Sequence, residues 1–381
     1  MTRLIRIAIL SISLLTVMAG AAVAPALGSI GEFYTGVDPL LIKMILTLPS
    51  LVIIPASLLS GRWAPVLGKK QLLLAGIALY VIGGVGGGFT DHIATLLLFR
   101  GILGLGVGII MPLSTGLIAE LFSGEDRTRM MGYSTAVNNL GGIIATVLSG
   151  FLATVSWRMS FGVYLLGLLV LVLIAVALPR LEKQPAGSTS FTSLPMGSLS
   201  LMMTAGFFIS IIFYTVPTNL SLYIEGRGLG SAQTSGLLIS SMTFASFLSG
   251  MLLSRVTKWL GRQLVVVSLA SMAAGFGLLA FTNHLVPIVG GLLLVGLGLG
   301  LLMPTLFLTT SKSVKPPQIT FALSLVSSSM FLGQFLSPLL AGLFGSSVEA
   351  PYQFSMTLAL AAMLVVWLMS RRRAGQPAVS R

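Results

Sequence analysis

The sequence predicts an all-α membrane protein of twelve transmembrane helices, arranged as two pseudo-symmetric six-helix bundles. Three observations lead there. Only 8% of the 381 residues are charged, 55% are hydrophobic, and the mean hydropathy is +1.01; a soluble domain carries about 25% charge, roughly threefold more. The apolar residues fall in runs of roughly 20, the length a helix needs to cross a hydrocarbon core about 30 Å thick. The second half of the chain repeats landmarks of the first at an offset of about 192 residues, as in carriers built from two parallel six-helix repeats. The composition excludes a soluble enzyme, a disordered chain and a nucleic-acid-binding domain. Zero cysteines exclude disulfides, thiolate metal sites and redox thiols.

Marking apolar runs between charges, Gly/Pro and polar clusters gives spans at 4–28, 40–60, 71–90, 94–118, 131–154, 160–179, 198–222, 233–254, 264–282, 286–310, 318–344 and 353–370. The first has Arg3 and Arg6 at its start and contains Pro25. Its basic start and the small residues at 19–24 mimic a secretory leader, but removing it would break the repeat, so it is read as a retained helix. The second leads into the segment Gly61–Lys70, and the third and fourth flank a short loop holding His92. The fourth carries Arg100, and the fifth a small, polar face of Thr135, Asn138, Asn139, Gly142 and Thr146. The sixth opens at Trp157-Arg158. The longest connection, 181–197, is rich in Gly, Ser, Thr and Pro and is read as a cytoplasmic linker between bundles at 1–180 and 198–370. The seventh span sets Tyr214, Thr215, Thr218 and Asn219 around Pro217, and the eighth runs to Arg255. The ninth and tenth flank His284, the eleventh offers Ser327, Ser328 and Gln334, and the twelfth stops at Arg371–Arg373, which opens a tail over 371–381.

Lys and Arg orient the bundle. With the N-terminus inside, all 22 basic residues except Lys43, Arg100, Arg158 and Arg227 fall in cytoplasmic segments. The net charge of +13 is then a topology signal and not a polyanion-binding surface. Both termini are expected in the cytoplasm, in a bacterial-type cell (inner) membrane.

The repeat is carried by specific residues. Gly104-Leu-Gly-Val-Gly108-Ile-Ile-Met111-Pro112 returns as Gly296-Leu-Gly-Leu-Gly300-Leu-Leu-Met303-Pro304. Pro25 returns as Pro217, and Gly141 and Gly150 as Gly333 and Gly342. Arg62, Gly68 and Lys69 match Arg255, Gly261 and Arg262 with one residue of slippage. On these residues the chain resembles a major facilitator superfamily transporter over nearly its whole length. Gly61-Arg-Trp-Ala-Pro-Val-Leu-Gly68-Lys69-Lys70 stands where that family has Gly-x-Leu-Ala-Asp-Arg-x-Gly-Arg-Lys between helices two and three. Arg100-x-x-Leu103-Gly104-x-Gly106 is similar to the helix-four motif, with Leu103 for the usual Gln, and Trp157-Arg158-x-x-Phe161 to the opening of helix six. Ala145-Thr146-Val-Leu-Ser149-Gly150 stands where proton-driven drug exporters carry Gly-Pro-x-x-Gly-Gly.

The resemblance implies a secondary transporter working by alternating access, with the drug:proton antiporter branch as its nearest kind. Gly61, Gly68, Lys69, Lys70, Gly104, Gly108, Gly141 and Gly150 become its conformational motifs. The departures bear on that reading. Pro65 replaces the loop Asp that helps hold the cytoplasmic side closed in the family, with Glu125 or Asp126 as the substitutes at hand. Thr146 replaces the Pro of the exporter motif.

Arg100 is the charge set inside a span, about 9 Å deep. A cation there costs about 2.5–3.5 kcal/mol on insertion scales, so it should have protein partners and is expected to face the cavity between the halves. Proton exchange also needs a carboxylate that is hydrated in one access state and covered in the other, because desolvation disfavours its charged form. No acid lies mid-span; Glu32 and Glu225, just past the outer ends of helices one and seven, are the nearest, and Glu120 closes helix four inside. Arg100, Glu32 and Glu225 are therefore the proton-coupling candidates. Met111, Thr115, Asn138, Asn139, Tyr214, Asn219, Met303 and Gln334 are the substrate-cavity candidates, being polar or adaptable residues placed within apolar spans.

Nothing in the chain resembles a catalytic constellation, a metal-ligand cluster or a phosphate-binding loop, so no enzyme activity, cofactor or metal is expected. The expected partners are a small-molecule substrate, protons and the lipid bilayer around a monomer. Two transport functions fit. One is proton-coupled export of amphipathic or lipophilic small molecules; the other is carriage of a sugar, metabolite or glycolipid, with or without proton coupling. A non-transporting scaffold fits poorly with glycine motifs suited to rocking helices.

Overall fold

The computed structural model describes residues 3–179, 195–315, 318–345 and 347–374. Nearly all of the expected linker, and the tail beyond 374, lie outside the described residues. Twelve long helices occur among them: α1 Arg3–Phe33, α2 Pro39–Leu67, α3 Lys69–Gly86, α4 Ile93–Leu121, α5 Gly124–Val155 and α6 Trp157–Ala177, then α7 Met196–Gly226, α8 Ala232–Met251, α9 Leu264–Phe281, α10 Leu285–Lys312, α11 Ile319–Phe344 and α12 Ala350–Ala374. Eleven of these pass as membrane spans by length and hydropathy alone. The exception is α8, whose Gln233, Thr234, Ser235, Ser240, Ser241, Thr243, Ser246 and Ser249 dilute its apolar character. It needs less lipid-facing surface because it packs against α5 of the other half.

Each expected span corresponds to one helix, and the differences lie at the ends. α2 does not stop near residue 60 but runs to Leu67. The expected loop Gly61–Lys70 is thus mostly helix, with the turn concentrated in Gly68, whose φ of +85° suits a residue without Cβ. α5 begins at Gly124, ahead of the expected 131, with Glu125 and Asp126 in its first turn, where carboxylates favour the positive end of the helix dipole. Between α8 and α9 a short surface helix, Leu253–Leu260, carries Arg255, Lys258 and the 92%-exposed Trp259.

α1 is broken. Helix ends at Ala21, a turn and a 3₁₀ segment cover Ala22–Ala26, and helix resumes at Leu27–Phe33. Pro25 has no N–H to return to the preceding turn and forces the interruption. Pro217 in α7, its repeat mate, stays within continuous helix.

The glycine repeat sets the packing inside each half. A Cβ at Gly104 would lie 2.8 Å from the Pro49 carbonyl oxygen and one at Gly108 2.6 Å from Ala56 Cβ, so these residues seat α4 on α2. Gly106 likewise seats α4 on α3 at Tyr80. In the second half Gly296 and Gly300 press α10 onto the backbone of α8 at Met242 and Ser246, and Gly298 presses it onto α9 at Ser268. Small residues at helix contacts let backbones approach where lipid offers no hydrophobic drive.

Most basic residues lie at the end of the bundle that includes the starts of α1 and α3; we refer to it as the basic face and to its opposite as the far face. On the basic face Lys69 pairs with Glu120, and Lys70 Nζ donates to the Ala175 and Leu178 carbonyls at 2.7 and 2.5 Å, closing the end of α6. Glu125 pairs with Arg129 at 2.7 Å and Asp126 with Arg6 at 3.7 Å. Both pairs stay within the first half, so neither acid replaces the missing loop Asp as a tie between halves in this state.

Candidate functional site

A cavity of about 380 Å³ lies between the halves near the middle of the bundle. The break in α1 supplies one wall through Ala19, Gly20, Ala21 and Ala24, and α7 faces it with Phe213, Tyr214 and Pro217. Polar groups reach it from four more helices: Ser50 of α2, Asn138, Asn139 and Thr146 of α5, Thr243 and Ser246 of α8, and Gln334 of α11. The remainder is chiefly aliphatic, sulfur-containing or aromatic, including Met111, Met242, Leu299 and Phe331.

The far side of the cavity is sealed by contacts between the halves. Gly28 N donates to Ser221 Oγ at 3.0 Å, Ser29 Oγ donates to Glu225 Oε2 at 2.9 Å, and Ser221 Oγ lies 2.5 Å from the Pro25 carbonyl oxygen. A Cβ on Gly28 would stand 2.5 Å from the Glu225 carboxyl carbon, so any larger residue here would displace that side chain. Alongside, Gly150 of α5 meets the α8 backbone at Ala232 and Gly236. At the cavity itself Ser50 Oγ donates to Gln334 Oε1 at 2.9 Å, joining α2 to α11. Toward the basic face, Thr115 and Thr135 are exposed.

Five of the eight expected cavity residues meet there: Met111, Asn138, Asn139, Tyr214 and Gln334. Three do not. Thr115 is exposed one turn further toward the basic face and donates to the Met111 carbonyl. Asn219 is buried, with its amide donating to Thr215 and Thr218 of its own helix. Met303 packs into the core of the second half, so the symmetry with Met111 is not kept at the wall. Leu299, one turn away, lines the cavity instead, as does its repeat mate Val107.

Arg100 does not face the cavity. It is fully buried one layer behind the wall, where Nε donates to the Ile45 carbonyl at 2.6 Å, Nη1 to the Tyr164 hydroxyl at 2.7 Å and Nη2 to the Ala19 carbonyl at 2.9 Å. Tyr164 donates to the same Ala19 oxygen at 2.8 Å. The guanidinium therefore fastens α4 to α1, α2 and α6 next to the break in α1. Its partners are carbonyls and a phenol, with no carboxylate among them.

Glu32 and Glu225, near-symmetric in sequence, differ in surroundings. Glu32 is exposed, whereas Glu225 is held by Ser29 and Ser221. Arg227 turns away to Glu349, Asn283 and Tyr223. Ser29, Ser50, Thr16, Tyr164 and Ser221 were not singled out by the sequence reading. Only their polarity within or beside apolar spans marked them, and many serines of this chain share that while bonding to their own helix.

The two adjacent amides of α5 have distinct environments. Asn138 Oδ1 accepts from Thr16 of α1 at 3.3 Å, while Asn139 Nδ2 donates to Thr135 of its own helix at 3.1 Å. Asn138→Leu is expected to cost more, adding loss of an interhelical bond worth about 0.6 kcal/mol to loss of a cavity group. Parallel thermal-unfolding and transport assays of the two single variants check this. Equal and negligible effects would show that neither amide matters.

Two six-helix halves packed around a central cavity form the architecture of a polytopic membrane carrier. The chain belongs to the Major Facilitator Superfamily, whose sequence profile it matches over residues 9–317 and again over 262–381. Among its relatives, the quinolone resistance protein NorA of Staphylococcus aureus is 27% identical over 365 residues, covering 89% of each chain. The multidrug transporter protein MdtP of Bacillus subtilis is 22% identical over 340 residues, covering 71% of this chain and 62% of MdtP. In fold the chain is similar to the crystal structure of a D-xylose-proton symporter, with a TM-score of 0.74 at 18% identity over 96% of this chain and 97% of that one.

Proposed function

We propose that this transporter exports amphipathic or lipophilic small molecules in exchange for protons, by alternating access. The positive-inside rule puts the basic face and both termini in the cytoplasm of a bacterial cell, with the chain acting as a monomer. A far face sealed above a central cavity then corresponds to an inward-facing state, loading from the cytoplasm or inner leaflet. The cavity wall supports this substrate class, being mostly apolar with scattered amides and hydroxyls, and the names of NorA and MdtP point the same way. A sugar carrier would need denser hydrogen bonding than this wall offers.

Hydrogen-bond stoichiometry at the far gate carries the proton part of the reading. Ser221 Oγ receives the Gly28 N–H, and it lies 2.5 Å from the Pro25 carbonyl oxygen and 2.7 Å from Glu225 Oε1. A hydroxyl has one proton and cannot donate to both oxygens. A proton on Glu225 completes the set: the carboxyl donates to Ser221 and Ser221 to Pro25. The sealed gate thus suits protonated Glu225, and release of that proton favours opening.

In proteoliposomes, Glu225→Gln should retain substrate counterflow while losing most accumulation driven by a pH gradient, and Glu32→Gln should behave like the parent. Gradient-driven accumulation undiminished by Glu225→Gln would remove this carboxylate from the coupling mechanism.

A further inference from the structure

The balance of charge around the cavity bears on which molecules it accepts. None of its lining residues is Asp, Glu, Lys, Arg or His. Among the described residues the fully buried ion is Arg100, whose Nη2 is bonded to the carbonyl of Ala19, itself a wall residue. No carboxylate neutralises it, and the Tyr164 and backbone oxygens that receive its hydrogen bonds carry no formal charge. A charge held in a poorly screened interior acts over several ångströms at an effective dielectric of about 20. The acid closest to the cavity along α7 is Glu225, eight residues beyond Pro217 and so about 12 Å further out, with serines on both its oxygens. Toward the basic face, Arg3, Arg6, Arg62, Lys69, Lys70, Arg127, Arg129, Arg255, Lys258, Arg262 and Lys312 outnumber Glu120, Glu125 and Asp126. That excess gives the approach to the cavity the same sign of potential as its interior.

We infer that the cavity selects neutral and anionic amphipaths over lipophilic cations, with unpaired Arg100 setting the sign of its potential through the Ala19 wall. The inference rests on the small-molecule carrier reading above and narrows its substrate class. A hydrophobic cation entering here would meet no carboxylate or formal negative charge, and the scattered amides and hydroxyls would not compensate for the guanidinium behind them. An aromatic acid would find the reverse.

Tetraphenylborate and tetraphenylphosphonium have matching shape and opposite charge, and their saturable binding to the purified full-length transporter tests the sign directly. Micelle partitioning is common to all variants, so the ratio of the two affinities is compared between variants. Relative to the ratio measured for protein-free micelles, the parent should favour the borate by about tenfold or more. Asn138→Asp, which puts a carboxylate in the wall without touching Arg100, should shift the ratio toward the phosphonium by about tenfold or more. Arg100→Gln should shift it the same way where it remains folded. A parent that, on the same scale, binds the phosphonium as tightly as the borate would overturn the charge inference and leave the carrier reading intact. An Asn138→Asp ratio equal to the parent's would equally show that cavity charge does not decide selection. Saturable binding of neither probe would instead contradict the reading of the cavity as a site for lipophilic molecules, and the inference with it.

Discussion

Arg100→Leu is expected to abolish transport and to lower thermal stability markedly. The side chain is fully buried and supplies three hydrogen bonds, to Ile45, Tyr164 and Ala19, that join α4 to three other helices of its half. Without it Tyr164 still bonds Ala19, but the buried Ile45 carbonyl loses its donor, a cost of about 1–3 kcal/mol, to which the volume left by the side chain adds. Arg100→Lys should recover only part of the loss, because one ammonium cannot reproduce a planar fork aimed at three oxygens. Complete burial makes loss of stability part of the expectation, beside loss of transport. Thermal unfolding in detergent alongside transport checks it. An Arg100→Leu protein as stable and active as the parent would show that the network is dispensable.

Gly300→Val should be the most damaging of the helix-packing substitutions. The site has no room for a Cβ beside the Ser246 carbonyl oxygen and the Ser249 hydroxyl, and the nearer obstacle is backbone, which cannot rotate aside. Overpacking typically costs 1–3 kcal/mol, occasionally more, and here relief requires α10 to move off α8. Gly296→Val should act similarly against Met242. Gly342→Ala is the control, because a Cβ there meets nothing within 4 Å. Monodisperse yield after extraction reads the difference. Equal yields from Gly300→Val and Gly342→Ala would contradict the close helix approach.

The twelve spans were legible because lipid imposes one length and one polarity on every crossing helix, and α8 was legible despite its serines because apolar runs still frame them. The Gly104–Gly108 and Gly296–Gly300 repeats were legible as packing because glycine spacing in a helix has few other uses. The orientation of Arg100 was not. Its depth followed from position, but whether it met the cavity or the interior of its half depended on the break in α1, which turns the Ala19 carbonyl toward it. Glu32 and Glu225 looked equivalent for a related reason. Their asymmetry arises because Ser29 and Ser221 converge on Glu225 across the closed gate, a pairing between helices distant in sequence. Met111 and Met303 mislead in the same way: repeated sequence need not give repeated exposure once the halves meet asymmetrically.

The central claim is that protons drive export through this cavity. Its most direct test is uptake of a fluorescent amphipath into proteoliposomes reconstituted with the basic face outward and loaded with an acidic lumen. The account predicts accumulation above equilibrium that collapses on adding a protonophore and is absent without the gradient. Accumulation that is indifferent to the gradient, or transport that only equilibrates the dye whatever the lumenal pH, would contradict it.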